Sequence, residues 1–154
     1  MICVVQRVSE ASVVVKQANY RAAIGPGLCV LVGVQVGDTE RDADWMAGKL
    51  SRLRIFRDDQ GKMNRSVQDI GGAALLVSQF TLAGECGKGN RPSFVDAAAP
   101  ELGERLYDHV CLALEREHQV PVKKGIFGAM MEVYLINDGP VTLIVESRAS
   151  KDQS

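Results

Sequence analysis

The sequence predicts an α+β fold, a mainly antiparallel β-structure with two long helices. Three observations carry that reading. Roughly eight short runs rich in Val, Ile, Leu and Thr are bounded by Gly, Pro, Asn or Asp, as strands are. Two longer stretches, 39–52 and 100–118, place apolar residues three and four apart, the repeat of one helix face. These helices do not alternate regularly with the strands, which argues against a parallel sheet built from βαβ units.

The elements follow in order. Residues 2–8 and 11–16 are two apolar runs meeting at Ser9-Glu10, either as a hairpin or as one bulged strand. Tyr20 to Ile24 is a short strand, and Gly25-Pro26-Gly27 a turn. The continuous run from Leu28 to Val34 suits a central strand buried on both faces. Asp38 or Thr39 caps the first helix, whose apolar stripe is Ala43, Met46, Ala47 and Leu50; Trp45 lies off it. Arg54-Ile55-Phe56 is a short strand, Asp58 to Gly61 a turn, and Gly71-Gly72 breaks the chain before a strand at 73–79. Residues 83–91 hold three glycines and form a loop. Pro100 opens the second helix, with Glu101 suited to its first turn and Tyr107, Val110, Cys111 and Leu114 on its apolar face. The apolar runs 129–136 and 141–146 flank Asn137-Asp138-Gly139-Pro140 and read as an antiparallel hairpin. A single domain is expected over 1–147, with a frayed tail at 148–154.

Composition narrows the function classes. The chain has 154 residues, 46% apolar and 24% charged, which is the profile of a soluble globular protein. No apolar run has the ~18–20 residues of a membrane span, and residues 1–7 lack the basic start of a secretory signal. A cytoplasmic location is therefore expected. A net charge of −1 argues against a protein that coats nucleic acid, but leaves room for local contacts from Lys88 and Arg91 or from Lys123-Lys124. The four cysteines have no metal-ligand spacing. Cys3, Cys29 and Cys111 lie in apolar runs, and Cys86 lies in the glycine-rich loop. His109 and His118 sit in or at the end of the second helix, apart from any Ser, Cys or Asp motif. No phosphate-binding or dinucleotide fingerprint is present, so no cofactor and no metal are expected.

Two segments remain that composition does not account for. The buried run Ala74 to Val77 ends in Ser78-Gln79-Phe80-Thr81, where main-chain N–H groups and small polar side chains can converge on a ligand. The plain alternative is a strand ending in a polar turn. Gly139-Pro140 is a costly pair for an ordinary turn, because proline gives up an amide donor. It is either that turn or a device that presents main-chain carbonyls.

In this order and spacing, Ser78-Gln79-Phe80-Thr81-Leu82 and Asn137-Asp138-Gly139-Pro140-Val141-Thr142 resemble the two signature motifs of the D-aminoacyl-tRNA deacylases, the D-tyrosyl-tRNA deacylase family. Gln6-Arg7-Val8, Gly61-Lys62-Met63-Asn64, Gly89-Asn90-Arg91-Pro92-Ser93-Phe94 and Met131 match similar residues, so the resemblance runs from residue 1 to about 147. It implies a barrel-like sheet with the helices packed outside it, and a homodimer. It also implies hydrolysis of the ester of D-aminoacyl-tRNA, and of mischarged glycyl-tRNA, with the tRNA acceptor end as partner and no membrane. Ser78, Gln79, Phe80 and Thr81 would cradle the ester and terminal adenosine. A cis Gly139-Pro140 pair, inserted from the partner subunit, would hold the substrate amine and leave no room for an L side chain, with Arg7 bracing that loop and Met131 beside it.

An aminoacyl ester is already activated and has a ribose 2′-hydroxyl beside it, so positioning and an oxyanion site suffice for water attack. Thr81 is the one candidate nucleophile in the motif, and no base is adjacent to activate it. Two other functions compete: a dimeric binder of nucleotides or RNA ends, and a related deacylase with a trans Gly-Pro and altered chirality. Phe80 and Val141-Thr142 favour the D-specific branch over the latter. Gly84 to Gly89 is richer in glycine than the resemblance leads one to expect.

Overall fold

The computed structural model describes residues 1–148. Eight strands and two long helices lie among them, in the order β1 (Ile2–Val15), β2 (Tyr20–Ile24), β3 (Gly27–Gly33), α1 (Glu40–Arg52), β4 (Phe56–Arg57), β5 (Met63–Arg65), β6 (Ala73–Ser78), α2 (Pro100–Arg116), β7 (Val122–Lys124) and β8 (Glu132–Glu146). β1 is the spine of a mixed six-stranded sheet. It pairs antiparallel with β2, β3 and β8, while β6 lies parallel to both β3 and β7. The sheet curls into a nearly closed barrel with the helices outside. Tyr20 at the start of β2 donates its hydroxyl to the carbonyl of Lys124 at the end of β7, across the remaining gap.

The continuous apolar run at 28–34 is buried on both faces, as its pattern requires. Leu28, Val30, Val32 and Leu76 face α1 and α2, packing with Met46, Leu50, Leu106, Tyr107 and Val110. Cys29, Leu75 and Val77 face the other way, against Val8, Val13 and Ile24. The α1 stripe of Ala43, Met46, Ala47 and Leu50 is fully buried, and Trp45 packs at its margin. Thr39 starts α1, and the Asp42 carboxylate reaches back to its N–H at 2.9 Å, a reciprocal cap. Pro100 occupies the first turn of α2.

Two readings open in the sequence resolve here. Ser9 and Glu10 belong to one continuous β1. The expected hairpin at 129–146 is not formed: β8 runs in one direction through Gly139-Pro140. Tyr134 pairs with Ser12 and Ile144 with Val4, both antiparallel to the same strand, so the chain does not reverse. Between the pairs Gln6–Thr142 and Val8–Asn137, β1 has one residue, Arg7, where β8 has the four residues 138–141. The extra residues leave the ladder as a wide bulge. Of the expected tail, Arg148 donates to the carbonyl of Val36 and stands 3.7 Å from Asp38, while 149–154 lie outside the described residues.

Candidate active site

The first motif is shaped by the end of β6. Ser78 pairs with Val32 of β3, and the Gln79 N–H donates to the Val32 carbonyl at 2.8 Å. The chain then turns sharply through a short 3₁₀ helix at Phe80–Ala83. β3 allows this because it ends in Gly33, where a Cβ would stand 2.9 Å from Leu82 Cβ and 3.1 Å from the Gln79 carbonyl. The Gln79 amide donates to the Thr81 hydroxyl at 2.5 Å. Phe80 is 58% exposed, and its ring meets Phe94 edge-on at 5.3 Å. Phe94 reaches it because Glu85 and Ser93 bridge antiparallel and fold the loop back. Lys88 and Arg91 lie on that exposed loop. The strand end thus presents a hydroxyl pair, an amide and two aromatic rings, with two cations on the neighbouring loop.

The second motif is the β8 bulge. The Gly139-Pro140 bond is cis, and Gly139 has φ of +145°. The main-chain groups that leave the ladder find side-chain partners. Asn137 Oδ1 accepts from the Val141 N–H at 2.7 Å, and its amide donates to the Thr142 hydroxyl at 2.9 Å. Arg7 is 3% exposed; its Nε donates to the Asp138 carbonyl at 2.8 Å and its Nη1 to the Ile55 carbonyl at 2.7 Å. Arg7 therefore sits under the bulge and ties it to the chain entering β4.

Register separates the two motifs within this chain. Arg7, opposite the bulge, shares a row with Leu28 and Ala74, whereas Ser78 lies four residues further along β6. That offset alone is about 13 Å at ~3.3 Å per residue. Three strand spacings also lie between β8 and β6. Met131 is likewise apart from its own bulge. It stands before β8, packed at Gly125, whose N–H donates to the Leu76 carbonyl at 3.1 Å. It thus belongs to the Ser78 side of the sheet.

The model of the D-Tyr-tRNA(Tyr) deacylase family matches residues 4–146. The chain belongs to that family. Membership places it among the hydrolases that act on ester bonds. A D-aminoacyl-tRNA deacylase of Geobacter sulfurreducens is 56% identical over 149 residues, covering 97% of both chains. One of Chlorobaculum parvum is 54% identical over 147 residues, covering 96% of this chain and 98% of that protein. Among solved structures, the c-Myc DNA Unwinding Element Binding Protein is 42% identical with a TM-score of 0.87, over 95% of this chain and 98% of that one. A probable eukaryotic D-amino acid tRNA deacylase shares the fold, with a TM-score of 0.80 at 19% identity over 94% of this chain and 97% of that one.

The histidines and cysteines of this family member lie outside both motifs. His109 Nε2 lies 2.6 Å from Asp44 Oδ1, which joins α2 to α1, and the His118 carbonyl accepts from the Gln68 amide. Among the described residues no group of three His, Cys, Asp or Glu side chains is placed to hold a metal, and no helix is long and apolar enough to cross a membrane. Burial pushes the Cys3 and Cys111 thiols up to about 12 and Cys29 to about 11, so they stay protonated at neutral pH. Cys86 alone is exposed. A thiol reagent at pH 8 is expected to label Cys86 quickly and the other three only after unfolding, and Cys86→Ala is expected to keep full hydrolytic activity. Fast labelling of a second thiol in folded protein, or loss of activity in folded Cys86→Ala, would contradict this.

Sequence reasoning missed Arg57, which pairs with Asp138 across 81 residues. Nothing local marks it, because only the fold brings the β4–β5 hairpin to the bulge.

Proposed function

We propose that this protein hydrolyses the ester of D-aminoacyl-tRNA, and of mischarged glycyl-tRNA, in the cytoplasm, as a homodimer in which each bulge completes the partner's pocket. The observation that carries the reading is the separation of the two motifs within one chain. A second copy related by a two-fold axis can bring Gly139-Pro140 to Ser78–Thr81 without deforming either sheet. β8 favours this: among the described residues it pairs on one side only, with β1, and it exposes Tyr134, Ile136 and Ile144 beside the bulge. Met131, on the Ser78 side, would meet the incoming bulge there.

In this reading a water oxygen attacks the ester carbonyl carbon, assisted by the neighbouring ribose 2′-hydroxyl. Main-chain N–H groups at Ser78–Thr81 stabilise the oxyanion. The bond from that carbon to the ribose 3′-oxygen breaks, the oxygen takes a proton that came from water, and free amino acid and tRNA leave. Thr81 serves as a hydrogen-bonding group, since its hydroxyl already accepts from Gln79 and no base adjoins it. The carbonyls of Gly139 and Pro140 hold the α-amino group and occupy the space of an L side chain. A wall of main-chain atoms ignores side-chain identity, so many D-amino acids, and glycine, would pass. Pocket contacts alone discriminate by only ~1–3 kcal/mol per methylene.

The test uses one tRNA charged with either enantiomer of tyrosine. Cleavage of the D form alone, by a particle of twice 16.7 kDa in light scattering, is the expected result. A tRNA ending in 2′-deoxyadenosine should be cleaved far more slowly. Equal cleavage of both enantiomers would sink the filter. Binding without turnover would favour a nucleic-acid-binding function, the kind named in the similar c-Myc DNA Unwinding Element Binding Protein.

A further inference from the structure

The Asp138 carboxylate lies between two guanidinium groups from different parts of the fold. Arg7 Nε holds the main-chain carbonyl of Asp138 at 2.8 Å and stands 3.6 Å from its Oδ2. Arg57 Nη1 lies 3.1 Å from Oδ2 and 3.4 Å from Oδ1, and its Nη2 lies 3.5 Å from Oδ1. Arg57 ends β4, two residues after Ile55, whose carbonyl accepts from Arg7. The contacts close a ring: Ile55, Arg7, Asp138, Arg57 and back along β4.

A carbonyl anchored at one point can still swing about that point. Holding the side chain of the same residue as well removes the swing, and with it the freedom of the 138–139 peptide plane. We infer that Arg57 is a positioning residue of the chirality filter: by holding the Asp138 side chain against β4, it sets where the Gly139 and Pro140 carbonyls stand. This rests on the proposed role of that bulge and adds to it a residue outside both motifs.

The pair is about half exposed, with Arg57 at 50% and Asp138 at 40% of side-chain area. Its effect is therefore modest and weakens with salt. The readout is the ratio of kcat/KM for L- and D-aminoacyl-tRNA, in which phosphate contacts and their own salt dependence cancel. Arg57→Ala should raise the L-to-D ratio about threefold at low salt, the scale of an exposed ion pair, without moving the thermal midpoint. Arg57→Lys should recover part of the difference. In an Asp138→Ala background, Arg57→Ala should change nothing further. An unchanged ratio, an equal effect in the Asp138→Ala background, or a lower midpoint with an unchanged ratio would each overturn the assignment. Equal cleavage of both enantiomers by the unmodified protein would remove the filter and this inference together. A D preference in the unmodified protein whose L-to-D ratio Arg57→Ala leaves unchanged would remove only the inference.

Discussion

Gly139→Ala is expected to lower kcat/KM for D-aminoacyl-tRNA by about 100-fold or more in a protein that still folds. The backbone there has φ of +145°, a region that L side chains rarely adopt. An added Cβ would stand 2.9 Å from both the N and Cγ2 of Val141 and 3.0 Å from Arg7 Nη2. Relief requires the bulge to move. Backbone strain of this kind costs about 1–3 kcal/mol, small enough for the fold to survive because the bulge lies outside the ladder. A displacement near 1 Å at a positioning group is worth about 10²-fold in rate. Circular dichroism should stay unchanged while single-turnover hydrolysis falls. Unchanged rate and unchanged chirality in a folded dimer would show that this loop is not the filter.

Arg7→Ala is expected to destabilise the fold by about 3 kcal/mol and to lower D-specific hydrolysis by tens of fold. Hydrogen bonds from a charged donor contribute ~1.5–3 kcal/mol each, and Arg7 makes two to main-chain carbonyls while 3% exposed. Its removal leaves the Ile55 and Asp138 carbonyls short of a donor and opens a void beneath the bulge. Lysine is a poor substitute, because one ammonium cannot reproduce a fork that reaches two carbonyls in different elements. Urea titration of Arg7→Ala and Arg7→Lys beside hydrolysis assays separates the two effects. An Arg7→Ala protein of unaltered midpoint and selectivity would remove Arg7 from the brace.

The elements legible in the sequence were those governed by local chemistry. The α1 stripe and its Thr39–Asp42 cap depend on residues three and four apart, and Pro100 declares the start of α2 by its missing N–H. The run at 28–34 announced burial on both faces because no polar residue interrupts it before Gly33. Both motifs could be quoted from the chain alone, and both fall within the family match over residues 4–146.

Strand continuity was not legible. A Gly-Pro pair between two apolar runs has the same local signature whether the chain reverses or bulges. The choice fell to β1, whose 14 residues form one continuous strand that pairs with both halves of β8. Pairing with that edge satisfies the ladder on either side, and Arg7 and Asn137 satisfy the groups between. Tertiary structure alone also decided that Arg57 reaches Asp138 and that the two motifs stand on different rows of the sheet. Those relations join residues tens of positions apart, so register and packing set them, whereas local sequence pattern carries only what neighbours along the chain can impose on one another.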